Sequence, residues 1–273
     1  MNTTKIGFIG AGNMAGSLIK GLVSQGHKPE HIWACDIDSQ KLQTLAEDCD
    51  IQTAEAGELV RTADIVVLAI KPQVMAQICG ELAAELPESP PLIVSIAAGI
   101  NAKSIEQWLK RPVPLVRCMP NTPALIGLGA SGLYANALVN KSQKEQAEQI
   151  LSAVGIAVWV TDEAGIDAVT AVSGSGPAYF FLFIEAMQEA AVKLGLDSDT
   201  ARALVNQTAV GAAQLASQSE HDVATLRRQV TSPGGTTEQA IAAFESGELR
   251  SLVETALQSA YEKSIALAKE LGE

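Results

Sequence analysis

The apolar positions of this chain change their period once along its length. Lys5 to Ile9 is a short apolar run that predicts a strand. Met14, Leu18 and Leu22, joined by Ile19 and Val23, then recur at helical spacing as far as Gly26, a helix stop. His31 to Asp36 returns to strand. Asp64-Ile-Val-Val-Leu-Ala-Ile70 is continuously apolar rather than alternating, the pattern of a strand covered on both faces of a parallel sheet. Pro91 to Ala97 and Pro114 to Met119 repeat it, with helical stretches at Val74 to Leu86 and Ser104 to Lys110 between them. Strands alternating with helices predict an α/β fold with a doubly wound sheet. After Val158-Trp159-Val160 the strand pattern ends. From Asp162 onward the spacing is helical, with turns expected at Ser173-Gly-Ser-Gly-Pro177, Leu194-Gly195 and Ser232-Pro-Gly-Gly235. We expect a boundary there, giving domains 1–162 and 163–273, the second all-helical. Its segment Ala209 to Ala216 is rich in small residues, which permits close helix packing, and helices of this kind need partner surface to be stable. The second domain is therefore expected to dimerise.

Charge narrows the function classes. The 273 residues carry 19 Lys and Arg against 31 Asp and Glu, a formal net charge of −12, and no basic cluster interrupts the acidity. Such a surface repels phosphate backbones and anionic membranes, so neither nucleic acid nor membrane is an expected partner. No apolar run approaches the roughly 20 residues needed to cross a bilayer. The opening residues show neither an extended apolar stretch nor a small-residue cleavage site, and the expectation is a cytoplasmic protein. Cys35, Cys49, Cys79 and Cys118 lack metal-ligand spacing and are expected as buried free thiols. No metal site is expected.

Between the first strand and helix lies Gly10-Ala-Gly-Asn-Met-Ala15, a G-x-G-x-x-A fingerprint in the position that a dinucleotide requires. Gly10 allows a tight turn, Gly12 removes a side chain where a pyrophosphate approaches, and Ala15 lets the helix pack on the strand. Ala11, Asn13 and Met14 complete the turn, whose helix start offers free N–H groups to the phosphates. Residues 1–162 thus read as a Rossmann-type domain. Asp36, ending the second strand, suits the adenosine ribose and disfavours a 2′-phosphate, which argues for NAD over NADP. Ser39 and Lys41 nevertheless leave a phosphate possible. Ala69-Ile70-Lys71-Pro72, Ser95 to Gly99 with Ala97, and Met119 to Pro123 with Asn121 end later strands on the same edge, where small residues and an amide suit a flat nicotinamide. Lys71 reads equally as solvated or as lining that cleft.

A second anion site is suggested by Ser232-Pro-Gly234-Gly235-Thr236-Thr237, in which Thr236 is an N-cap candidate and Gln239 stands at capping-box spacing. Consecutive N–H groups at a helix start form an anion nest, although an ordinary capped helix reads almost the same. Oxidation of an alcohol requires a base, and His27, His31 and His221 are poorly placed for one. A protonated C=N bond already carries its proton and accepts hydride directly.

Together these motifs, with Ser173-Gly-Ser-Gly-Pro-Ala-Tyr179, resemble the pyrroline-5-carboxylate reductase family over nearly the whole chain. The resemblance implies reduction of 1-pyrroline-5-carboxylate to L-proline with NADP or NAD as cofactor, the last step of proline biosynthesis. It implies a homodimer interlocked through the helical domain, with dimers assembling into rings such as a decamer, and a substrate turn that serves the other subunit's cofactor. It implies that Gly10 to Ala15, Ala69 to Pro72 and Ala97 hold the cofactor, that Ser232 to Thr237 receive the substrate carboxylate, and that Thr237 is the hydroxyl nearest the ring. Val230 and Glu163 resemble substrate-pocket positions. Two departures stand out: relatives that prefer NADPH place Ser, Thr or Asn-Arg where this chain has Asp36, and Ala56 replaces an asparagine found near the cofactor in some relatives. A β-hydroxyacid dehydrogenase shares the two-domain plan, but its catalytic lysine has no counterpart from Gly174 to Glu185, and Lys193 comes too late. A nucleotide-sensing protein without turnover is the remaining alternative.

Overall fold

The computed structural model describes residues 3–272. Strands and helices alternate first as β1 (Ile6–Ile9), α1 (Asn13–Ser24), β2 (Ile32–Cys35), α2 (Ser39–Cys49), β3 (Gln52–Thr53), α3 (Ala56–Thr62) and β4 (Ile65–Leu68). There follow α4 (Pro72–Leu82), β5 (Leu92–Ser95), α5 (Ala102–Trp108), β6 (Leu115–Met119), β7 (Gly129–Ala135), α6 (Lys141–Ser152) and β8 (Gly155–Trp159). The rest is helical: α7 (Gly165–Val169), α8 (Gly176–Lys193), α9 (Ser198–Gln218), α10 (Val223–Gln229), α11 (Thr236–Ser246) and α12 (Leu249–Gly272). The strands read from Lys5, His31, Asp64, Pro91 and Pro114 onward are present, trimmed by a residue or two at their ends, while β8 starts three residues before Val158.

The eight strands form one sheet in the order β3-β2-β1-β4-β5-β6-β7-β8. All neighbours are parallel except β6 and β7, which pair antiparallel with Cys118 opposite Leu133. The continuous apolar pattern has the predicted cause. Ile65 to Leu68 are at most 1% exposed because the sheet is covered on both faces. On one face Ile6, Phe8, Val67 and Val94 pack with Leu18 and Leu22 of α1 and Ile150 of α6. On the other, Val66, Leu68 and Ile93 pack with Met75 and Leu82 of α4 and Ile105 of α5. Each fully buried side chain of this size contributes about 1.5–3 kcal/mol of transfer free energy. The four cysteines are free, and burial raises their thiols, Cys35 to about 11 and Cys79 to about 12, so they stay protonated.

The chain packs as two compact units, one ending at Ser175 and resuming at Ser259, the other Gly176–Gln258. Residues 163–175 therefore pack with the sheet: α7 lies against β6 and β7. The turn expected at Ser173 to Pro177 is absent. A π-helical segment, Thr170–Gly174, follows α7 and leads into α8, with Ser175 N–H donating to Thr170 O at 2.8 Å. Two features account for it. Gly174 leaves room for the Met119 side-chain methyl, which a Cβ there would meet at 2.5 Å, and Pro177 is tolerated because it stands in the first turn of α8. In the other unit α8 packs on α9, and Phe180, Phe181 and Leu182, three consecutive apolar residues of α8, are all more than 60% exposed.

Candidate functional site

Because β1, β2, β4, β5 and β6 run parallel, their carboxyl ends bring Gly10 to Ala15, Asp36, Ala69 to Pro72, Ala97 and Asn121 to one edge of the sheet. In open α/β sheets ligands bind along that edge. Gly10 has φ 105° and its Cα faces the carbonyl of Ala69, where a side chain finds no room. Its N–H donates to Cys35 O at 2.8 Å, and Ala69 N–H donates to Ile9 O at 2.8 Å, so the turn is tied to the strand ends on either side. Gly12 is the N-cap of α1 in ordinary extended backbone, with no side-chain cap. A Cβ there would meet nothing within 4 Å. Space at the free N–H groups of a helix start is what a pyrophosphate needs, and the residues present fit a dinucleotide.

Asp36 is fixed in orientation. Its Oδ2 accepts from Ala11 N–H at 2.7 Å and its Oδ1 from Asp38 N–H at 2.8 Å. Each carboxylate oxygen keeps a further lone pair for a ribose hydroxyl. Lys71 is exposed as the N-cap of α4, and Pro72 takes the first helical position, where its missing N–H costs nothing. Ala97 is buried just past β5. Asn121 is buried with its amide committed to backbone: Nδ2 donates to Ser173 O at 3.0 Å, and Oδ1 accepts from Ala130 N–H at 2.8 Å.

Glu163 is likewise committed. Its Oε1 accepts from Arg117 Nη1 at 2.7 Å and from Ala102 N–H at 2.6 Å. The Arg117 side chain is only 6% exposed, a buried guanidinium that requires such a partner. The sequence reading missed Arg117, since one arginine inside an apolar strand carries no signal of its partner. His27 is pinned by Nε2 to the Thr4 carbonyl at 3.0 Å, and burial lowers its pKa, so it remains a neutral structural residue.

The second group of expected site residues lies in the helical unit. Thr236 and Thr237 open α11, but the N-cap is Gly235, not Thr236, and Gln239 makes no capping box. Glu238, at the third helical position, instead turns back so that its Oε2 accepts from Gly234 N–H at 2.8 Å. A longer carboxylate side chain reaches past Thr236 to the glycine pair. Gly235 N–H donates to Ser232 O at 3.0 Å, closing the turn. Val230, just after α10, is exposed. Among the described residues there is no cluster of His, Cys, Asp and Glu able to hold a metal, and no helix long and apolar enough to cross a membrane.

Two family models match parts of the chain. Residues 163–267 match the family model for pyrroline-5-carboxylate reductase dimerisation, and residues 5–99 match that for NADP oxidoreductase, coenzyme F420-dependent. The chain is 56% identical to the pyrroline-5-carboxylate reductase of Pseudomonas aeruginosa, with 100% of each chain covered. Its structure is similar to that of a pyrroline-5-carboxylate reductase from Coxiella burnetii, with TM-score 0.94, 45% identity, and 97% and 99% of the two chains covered. The Plasmodium falciparum pyrroline carboxylate reductase with NADP bound matches with TM-score 0.83 at 31% identity, over 98% and 99% of the chains.

Proposed function

This chain belongs to the pyrroline-5-carboxylate reductase family, and from that premise we propose how its residues reduce 1-pyrroline-5-carboxylate to L-proline with NAD(P)H. The observation that carries the site reading is the open approach to Gly12 at the start of α1, on the ligand-binding edge of the sheet. Gly10 to Ala15 hold the pyrophosphate on backbone N–H groups, and the fixed Asp36 carboxylate takes the ribose hydroxyls. Ala69, Ile70, Lys71 and Pro72 flank the cofactor with Ala97. Asn121 serves there by holding the β6–β7 turn in place, since both ends of its amide are bonded to backbone. When bound, the reduced nicotinamide supplies the hydride.

The substrate carboxylate is received by the turn Ser232, Gly234, Gly235 and Thr236, where it takes the place of Glu238 Oε2 at the Gly234 N–H, and Thr237 offers its hydroxyl to the ring. Val230 is the apolar wall beside that turn. The bonds of Glu163 to Arg117 and Ala102 support a positioning role for it at the pocket. The substrate C=N carbon gains hydride while the nitrogen keeps the proton it already carries, so position and hydrogen bonding suffice without a separate base.

We further propose 1–162 and 163–273 as the working domains, the second functioning in an interlocked dimer whose substrate turn serves the partner subunit's cofactor. The exposed run Phe180 to Leu182 supports this, since a helical segment apolar on all sides, as Phe180 to Ile184 is, belongs in a buried setting in the assembled state. Dimers assemble further, up to a decamer. Four protonated free thiols support a cytoplasmic setting.

Consumption of NADH and NADPH with the imine, each in turn, tests the reaction, and Asp36→Ser tests the cofactor reading. Removing the carboxylate should move the ratio of kcat/KM values about tenfold toward NADPH, equivalent to about 1.4 kcal/mol. An unchanged ratio would show that Asp36 does not face the ribose.

A further inference from the structure

A cavity of about 1140 Å³ opens beside the glycine-rich turn, lined by Ala11, Gly12 and Asn13 and reaching Asp38 and Lys41 at the start of α2. Its lining contains two cations, and both are matched by carboxylates. Lys20 Nζ stands 3.1 Å from Asp48 Oδ2, and Lys41 Nζ stands 3.1 Å from Asp38 Oδ2. The second pair is held by more than charge. Asp38 is the N-cap of α2, and its Oδ1 accepts from Lys41 N–H at 3.1 Å, so one carboxylate binds the backbone amide and the ammonium of the same residue. Asp38 is also tied to Asp36, whose Oδ1 accepts its N–H. The ribose carboxylate, the cap and the lysine therefore form one connected loop.

Resting on the cofactor site argued above, we propose that Asp38 is a second specificity-determining residue for NADH, acting by withholding Lys41 from the position of a 2′-phosphate. Asp36 opposes a phosphate by its own charge. Lys41, in the first turn of α2, is the cation next after β2 able to offset that opposition, and Asp38 engages it at both its amide and its ammonium. Both side chains are largely exposed, at 65% and 41%, so the pairing biases where Lys41 stands rather than locking it there.

The test is kcat/KM with each cofactor, beside its Kd from fluorescence titration, in the protein as it stands. Asp38→Asn keeps an N-cap of nearly equal quality while removing the charge that holds Lys41. It should raise kcat/KM for NADPH about three- to tenfold, the modest range expected of a partly exposed charge pair, and leave that for NADH within about twofold. The gain should vanish in Asp38→Asn combined with Lys41→Ala. If the gain persists in the double variant, Asp38 acts by repulsion alone and the role given to Lys41 is wrong. Lys41→Ala alone should leave NADPH kinetics unchanged, and a loss there would mean that Lys41 already reaches the phosphate, which also overturns the proposal. Gly12→Val separates this inference from the site beneath it. If NADH still binds that variant, the cofactor site itself is misplaced; if NADH is lost while Asp38→Asn leaves the ratio unchanged, only the assignment of Asp38 fails.

Discussion

Gly12→Val should yield a folded protein that no longer binds NADH or NADPH. The space around Gly12 is empty to 4 Å and its backbone is not left-handed, so a valine is accommodated without strain in the fold. The new side chain projects into the volume that the pyrophosphate occupies when it meets the first N–H groups of α1. Excluding a charged group from its backbone donors should weaken binding by about a hundredfold or more, about 2.7 kcal/mol. Titration of reduced cofactor by fluorescence, beside a thermal melt, reads both halves of the expectation. Retained affinity would remove the pyrophosphate from this turn.

The second large effect is expected at the other anion site. If Thr237 hydrogen-bonds the substrate while the Ser232 to Thr236 turn holds its carboxylate, Thr237→Ala should lower kcat/KM for the imine by roughly ten- to a hundredfold. That corresponds to losing a hydrogen bond worth about 1.5–3 kcal/mol when one partner is charged. Cofactor affinity should hardly change. Thr237 lies past the N-cap Gly235, on the first turn of α11, so removing its hydroxyl leaves the helix start capped as before. A Thr237→Ala protein that is folded, binds the cofactor weakly and turns over the imine normally would show that the two anion sites are wrongly assigned.

The strands that carry the cofactor edge were legible because burial on both faces writes a continuous apolar run, as in Ile65 to Leu68 and Leu92 to Ser95. β3 and β7 were not. β3 is two exposed polar residues at the edge of the sheet, and β7, Gly-Ala-Ser-Gly-Leu-Tyr-Ala, is built of small residues whose place is set by antiparallel pairing with β6. α6 did have a signal that went unread: Asn140 and Gln143 form the capping box that the sequence reading sought at Thr236. Asp36 was legible from its place after β2, whereas the hold of Asp38 on Lys41 depends on where α2 begins. The partners of Asn121 and Glu163 come from residues 9 to 61 positions away, and no local pattern announces them. Family resemblance pointed to the Ser232 to Thr237 turn, but only the structure places Glu238 on the Gly234 amide, because a capping reach of four residues and one of three look alike in a run of Gly, Thr, Glu and Gln.

The central claim is that this chain moves hydride from a reduced nicotinamide to the C=N carbon of a cyclic imino acid. The most direct measurement supplies cofactor deuterated at the transferable position together with 1-pyrroline-5-carboxylate, and follows cofactor oxidation and proline mass in the same vessel. One deuterium should appear in proline, on the ring carbon next to nitrogen and away from the carboxylate, for each cofactor oxidised. Cofactor oxidation without labelled proline, or no oxidation while imine and protein are both intact, would contradict the account.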